Sequence, residues 1–310
     1  MAQLQRPKLA YMNGKLVPWD EATLHIGCEA VTRGLNVFEG LKGYWQPDGR
    51  FKIVMLRQHY DRLRRSAHLL HIPCPWTFEE YSDAIDKLIG ALATPDRDMW
   101  ARTTLFVTEG HWGENTTADL VLTAYHQEKK NPEPVRLGVS TWRRSSDVAL
   151  PARIKTSSNY QVSRLARIEG RPQGYDDMIL LNHSGRVAEA TASCLLMVRN
   201  GTVFTPPASE GALESITLEI LETMAHAMGI AFVHRPIDRT ELLIADEIGV
   251  CGTLHEVALA SSIEGFPLPE KLPILGALQN CYLEAVRGIK PHPAVELTAL
   301  SSVANARRKA

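Results

Sequence analysis

The run "HQEKKNPEP", residues 126–134, constrains the fold more than any other stretch, because it is polar, charged and proline-bearing in a chain otherwise built from short apolar segments. A chain of 310 residues exceeds what one hydrophobic core usually organises, and an exposed stretch of this composition is where such a chain divides. The expected organisation is therefore α+β with two domains: a small α/β domain over 1–125, an interdomain linker over 126–134, and a larger α/β domain over 135–310.

Within the first part, "KLAYMNGKLVPW" reads as a hairpin, since Asn13-Gly14 supplies the positive φ angles of a tight turn between two alternating apolar runs. "LNVFEGLKGY" and "RFKIVM" read as a strand pair across "WQPDG". A helix is expected from about Leu56 to Leu70, with Leu56, Tyr60, Leu63, Ala67 and Leu70 at helical spacing. "MWARTTLFVTEG" and "ADLVLTAYH" complete the layer as strands. In the second part "VRLGVSTW", "DDMILLN", "SCLLMVRNGTVFTPP" and "EIGVCGT" are strand candidates. They alternate with helices expected near 157–169, 215–228 and 272–287. The terminal "SSVANARRKA" reads as a frayed tail.

Charged residues make up 22% of the chain with a formal net charge of -1, which offers neither a nucleic acid nor an anionic membrane an electrostatic footing. The five cysteines are scattered and never form a C-x-x-C pair, so neither a disulfide framework nor a metal site is expected. No apolar leader or bilayer-length run is visible, and the chain reads as a cytoplasmic protein with small-molecule partners.

Lys155, in "ARIKTSSNYQVSRLA", is the only lysine between Asn131 and Glu270. A lysine amine becomes a nucleophile or imine partner when its surroundings disfavour its charge, although a solvated surface lysine needs no such account. Downstream stand Glu189, an acid in an apolar strand, and "GALESITLEILETMAHAMG", where Ile216, Ile220, Leu221, Met224 and Met228 form one helix face closed by Gly229. Ser215, Ile216 and Thr217 then open that helix, where backbone N–H groups bind phosphate. An amine for an imine, an acid for a ring nitrogen and a helix end for a phosphate are what pyridoxal 5'-phosphate requires. Singly, such features are more often just a capped helix, a solvated acid or a surface lysine.

Together with "YMNGKLVPWDEA", "GLNVFEGLKGY", "HYDRLRRSA", "KTSSNY", "VAEATAS", "GTVFTPP" and "ADEIGVCGT", these segments resemble the fold-type IV pyridoxal-phosphate enzymes (D-amino-acid-aminotransferase-like and branched-chain-aminotransferase-like), most closely the branched-chain amino-acid aminotransferases. The resemblance runs in family order from about residue 9 to about 290. It implies that Lys155 forms the imine with the cofactor and moves a proton between the substrate α-carbon and C4'. It assigns Glu189 to the pyridine nitrogen and Tyr160 to the phenolic oxygen. Arg62, the backbone N–H groups of Ile216 and Thr217, and the hydroxyl of Thr253 fall to the phosphate. By the same resemblance Phe38, Lys42 and Arg102 line the substrate site, with Arg102 binding the second carboxylate of glutamate, and Thr253 and Leu254 offer N–H groups to the α-carboxylate. The implied reaction is ping-pong transamination between an L-amino acid and a 2-oxo acid such as 2-oxoglutarate, in a homodimer.

Several positions depart from the pattern. Arg33 and Trp100 stand where the family has tyrosines, His255 replaces a small residue, and "TSS" replaces a glycine-rich link. Arg33 either enters the pocket, which then favours a polar or acidic substrate, or turns outward to Glu29 one helical turn back. Without the resemblance, Arg62 with Arg64 and Arg65 reads as a solvated basic face, and Tyr160 as a core tyrosine. The rival functions are a D-amino-acid or amine transaminase or an aminodeoxychorismate lyase on the same fold, a cofactor-free lysine aldolase or decarboxylase, and a non-catalytic relative.

Overall fold

The computed structural model describes residues 5–303. Contacts divide the chain into two units, one comprising Met1–Lys130, Ile154–Ser158 and Ala285–Ala310, the other Asn131–Arg153 and Asn159–Glu284.

The first unit is built on a seven-stranded sheet, in the order Leu297–Ala299, Phe51–Val54, Asn36–Trp45, Asp98–His111, Glu114–Gln127, Leu9–Met12 and Lys15–Pro18, with every neighbouring pair antiparallel. The expected hairpin closes at Asn13-Gly14, whose φ angles of 52° and 74° are the left-handed values that a two-residue turn needs. Side chains alternate between the two faces of each strand. Val37 and Leu41, with Ala101, Leu105, Leu120, Leu122 and Ala124, pack against the helices Leu56–Leu69 and Phe78–Leu92. The opposite face carries Phe38 and Lys42 beside Trp100 and Arg102, with Gly40 opposing Arg102 and Lys42 opposing Trp100.

The helix Phe78–Leu92 is absent from the sequence expectations, yet its start is written locally. Thr77 Oγ1 accepts the Glu80 N–H (3.2 Å) and Glu80 Oε2 accepts the Thr77 N–H (2.8 Å), a reciprocal cap. Tyr81, Ala84, Ile85, Leu88 and Ile89 are its buried stripe.

The division also differs from the expected 1–125, 126–134 and 135–310. The strand Leu297–Ala299 pairs with Phe51–Val54, Leu300 and Val303 enter the core of the first unit, and so does Ile154. The break at Lys130/Asn131 falls inside the expected linker, and what local composition does not show is the return of the segments around Ile154 and Leu297, which apolar burial and main-chain pairing over long sequence distance bring to the first unit. For the same reason "SSVANARRKA" is not frayed throughout: Ser301 and Ser302 donate to the Asp86 carboxylate and Val303 is buried. Residues 304–310 of that run lie outside the described residues.

The second unit holds a nine-stranded mixed sheet. Its order is Phe232–His234, Thr202–Thr205, Cys194–Arg199, Glu247–Gly252, Glu256–Ile263, Val135–Arg143, Asp177–Leu181 and Val187–Ala190, with Phe266–Pro267 pairing Glu256–Ile263. Leu195, Met197, Ile248, Val250, Ala258 and Ile179 form its core. The helices Ile216–Ala227 and Pro273–Val286 fall within the expected spans, and Tyr160–Gly170, preceded by a tight turn over Ser157–Asn159, starts inside its span and ends one residue beyond it. Among the described residues no helix is long and apolar enough to cross a membrane.

Candidate active site

In the first unit Lys155 is half-buried and fixed through its main chain. Its N–H donates to Ser66 Oγ (3.2 Å) on the helix Leu56–Leu69, and its carbonyl accepts the Phe38 N–H (2.9 Å). Lys155 Nζ lies 5.0 Å from the centre of the Phe38 ring, within cation–π reach. Arg102 reaches the same ring at 3.8 Å while donating to Thr104 Oγ1 and Ser157 Oγ, both at 3.2 Å. Ser157 Oγ in turn donates to Asn36 Oδ1 (2.7 Å). The "TSS" stretch that replaces a glycine-rich link thus supplies a hydroxyl that orients Arg102. Lys42 is buried, its Nζ 5.5 Å from the Tyr44 ring, and Trp100 stacks on Tyr125 with centroids 4.4 Å apart.

Arg62 is not part of a solvated face. It is buried, whereas Arg64 and Arg65 are exposed. Its Nε–H donates to Glu39 Oε1 (2.7 Å) and its Nη2–H to Oε2 (2.8 Å), and His59 Nδ1 lies 2.7 Å from Oε2. Burial works to raise the Glu39 carboxyl, but the charge and fork of Arg62, and then His59, hold it well below the usual carboxylate range. Burial pushes His59 down, with Arg62 and Lys155 acting in the same sense against the opposing charge of Glu39. Because an ionised carboxylate only accepts, the proton between them sits on His59 Nδ1. Neither Glu39 nor His59 was singled out from the sequence as a functional residue.

Arg33 takes the outward course. Its Nη1–H donates to Glu29 Oε1 (2.9 Å), its guanidinium lies 4.7 Å from the Trp112 ring, and its side chain is 37% exposed.

In the second unit Glu189 is buried on the strand Val187–Ala190, at one end of the sheet. Its Oε1 pairs with Arg144 Nη2 (3.1 Å) and its Oε2 accepts the Leu213 N–H (3.0 Å). Arg144 was missed by sequence reasoning. It also donates to the carbonyls of Gly211 (3.2 Å) and Asn159 (3.3 Å), tying Glu189 to the residue before Tyr160, which is half-buried. Ser215 caps the helix Ile216–Ala227 by accepting the Leu218 N–H (3.3 Å). Ile216 and Thr217 stand in the first turn, whose amides have no intrahelical acceptor. Thr253 and Leu254 form the turn between the strands Glu247–Gly252 and Glu256–Ile263, where Gly252 opposes Glu256. Buried Tyr282 links these two places. Burial raises its hydroxyl, Glu256 and Cys251 add to that, and a hydrogen bond with Thr217 opposes it.

The two units of this α+β chain thus carry an anchored, half-buried lysine in one and a buried acid and a capped helix opening in the other. The chain matches the model of the family described as amino-transferase class IV over residues 36–263, and it belongs to that family. It is 31% identical over 289 residues to a protein of Synechocystis sp. named as a probable branched-chain-amino-acid aminotransferase, spanning 91% of this chain and 94% of the relative. Among solved structures it is similar to the branched-chain aminotransferase of Thermoproteus uzoniensis crystallised with norvaline, at 30% identity and TM-score 0.88 over 94% of this chain and 99% of that one. It is also similar to the branched-chain amino acid aminotransferase of Thermobaculum terrenum in its PLP-bound holo-form. There the identity is 30% and the TM-score 0.85, over 94% and 99% of the two chains.

Proposed function

We propose that this chain is a pyridoxal-phosphate-dependent aminotransferase that moves an amino group between a branched-chain L-amino acid and 2-oxoglutarate, as a cytoplasmic homodimer. The observation that carries the reading is Lys155: the only lysine in a long stretch of chain, half-buried, held by two main-chain hydrogen bonds and set over the Phe38 ring.

The donor set fits the cofactor. Lys155 supplies the amine, and the Arg62 guanidinium, the amides of Ile216 and Thr217 and the Thr253 hydroxyl supply phosphate donors. Glu189 supplies an acceptor for the ring nitrogen and Tyr160 a hydroxyl for the phenolic oxygen. When bound, pyridoxal phosphate supplies the electron sink that lets a bond to the substrate α-carbon break heterolytically. Lys155 Nζ takes the α-carbon proton and returns it during the amino transfer. Glu189, oriented by Arg144 and the Leu213 N–H, keeps a proton on the ring nitrogen. Arg102 binds the second carboxylate of glutamate or 2-oxoglutarate, and the N–H groups of Thr253 and Leu254 bind the α-carboxylate. Phe38, Lys42 and Trp100 bound the side-chain region. The Glu29 pairing of Arg33 takes away the reason to expect an acidic or strongly polar donor side chain, which supports an apolar one. Ile26 (79% exposed), Val31 and Trp112 (77% exposed) lie around the Glu29–Arg33 turn, and their exposure supports cover by a second copy.

The test is turnover of the cofactor-loaded enzyme with 2-oxoglutarate as acceptor, offered L-leucine, L-isoleucine and L-valine against D-alanine and simple amines. Glutamate formation from the branched-chain L-amino acids is expected. Preference for a D-amino acid or an amine overturns the donor assignment, and pyruvate release from aminodeoxychorismate without amino transfer makes the protein the lyase instead.

A further inference from the structure

Behind Arg62 stand two buried partners, Glu39 and His59, to which none of these roles assigns a part. Glu39 is fully buried on the helix-facing side of its strand, between the core residues Val37 and Leu41. A carboxylate there carries a large desolvation cost unless it is fully engaged. It is engaged by the Nε–Nη2 edge of Arg62 and by His59, which is itself buried. A two-point fork fixes the plane of a guanidinium as well as its place. The same strand and helix hold the lysine segment. Phe38, next to Glu39, donates to the Lys155 carbonyl, and Ser66, one helical turn beyond Arg62, accepts the Lys155 N–H.

We propose that Glu39, backed by His59, is a positioning residue that sets the plane in which Arg62 meets the cofactor phosphate and so fixes the phosphate relative to Lys155. The proposal rests on the reading above in which Arg62 binds the phosphate. Phosphate recognition by a planar fork depends on orientation, so loosening Glu39 costs affinity for the phosphate group alone. A merely structural Glu39 weakens every ligand of the site alike.

The experiment compares pyridoxal phosphate with pyridoxal, which lacks the phosphate, binding to the full chain stripped of cofactor, read by visible absorbance and by tryptophan fluorescence. Arg62→Gln is expected to abolish the preference for the phosphorylated form. Glu39→Gln and His59→Leu are each expected to lower pyridoxal-phosphate affinity roughly tenfold, the scale of one charge-assisted hydrogen bond, and to leave pyridoxal affinity unchanged. His59→Asn, which keeps an N–H donor, is expected to recover most of that loss, and the two His59 variants carry the test if Glu39→Gln fails to fold. Equal losses for both ligands in the Glu39 and His59 variants, or no loss in either, overturn the positioning role while Arg62→Gln still removes the preference. A preference surviving in Arg62→Gln overturns the phosphate assignment of Arg62, and the positioning role with it.

Discussion

Lys155→Ala is expected to lower kcat by roughly 10⁴-fold or more, since a positioned acid–base group alone contributes about 10²–10⁴-fold and this amine is also assigned the covalent attachment of the cofactor. The fold should survive. Both hydrogen bonds that anchor residue 155 use its main chain, to Ser66 Oγ and from the Phe38 N–H, and neither needs the amine. Among the contacts removed is that of the charge with the Phe38 ring, a modest term at a half-buried site. The check is steady-state turnover beside a circular dichroism melt. A variant with normal melting and normal turnover would show that Lys155 is not the reacting amine.

Glu189→Gln is expected to reduce kcat by on the order of 10²–10³, the scale of one preorganised electrostatic partner, while the cofactor remains bound. An amide does not hold a proton on the ring nitrogen as a carboxylate does, so electron withdrawal by the ring weakens. Arg144 would lose its ionic partner, yet it keeps the Gly211 and Asn159 carbonyls as acceptors. The measured quantities are kcat and cofactor affinity in the same preparation. A lowered kcat with retained affinity is the expected split, and an unchanged kcat would detach Glu189 from the ring nitrogen.

Much of the fold was legible because its signals are local. Asn13-Gly14 marks a hairpin, and the period of Leu56, Tyr60 and Leu63 marks a helix. The helix Phe78–Leu92 was equally legible from its Thr77/Glu80 cap and was passed over. The final strand was not, because Leu297–Ala299 gains its place only by pairing with Phe51–Val54, far away in sequence. The site divides in the same way. Lys155 stands out by isolation and the helix opening at Ser215 by its capping residue, whereas which of two adjacent arginines turns inward is decided by tertiary partners. Arg143 is exposed and Arg144 is buried against Glu189. Glu39 and His59 stayed hidden for a related reason: a polar residue in an apolar strand or on a helix gives no local sign of whether it meets a charged partner or solvent. Arg33 had two courses open from the sequence, and the reach to Glu29 one turn back chose between them.

The most direct measurement is the absorbance spectrum of the purified, pyridoxal-phosphate-loaded protein titrated with single amino compounds and no acceptor. Conversion of the bound-cofactor band to that of pyridoxamine phosphate by L-leucine and L-glutamate, with recovery on adding 2-oxoglutarate, is the predicted result. A band that does not respond to any L-amino acid, or a protein that takes up no cofactor, would contradict transamination at Lys155.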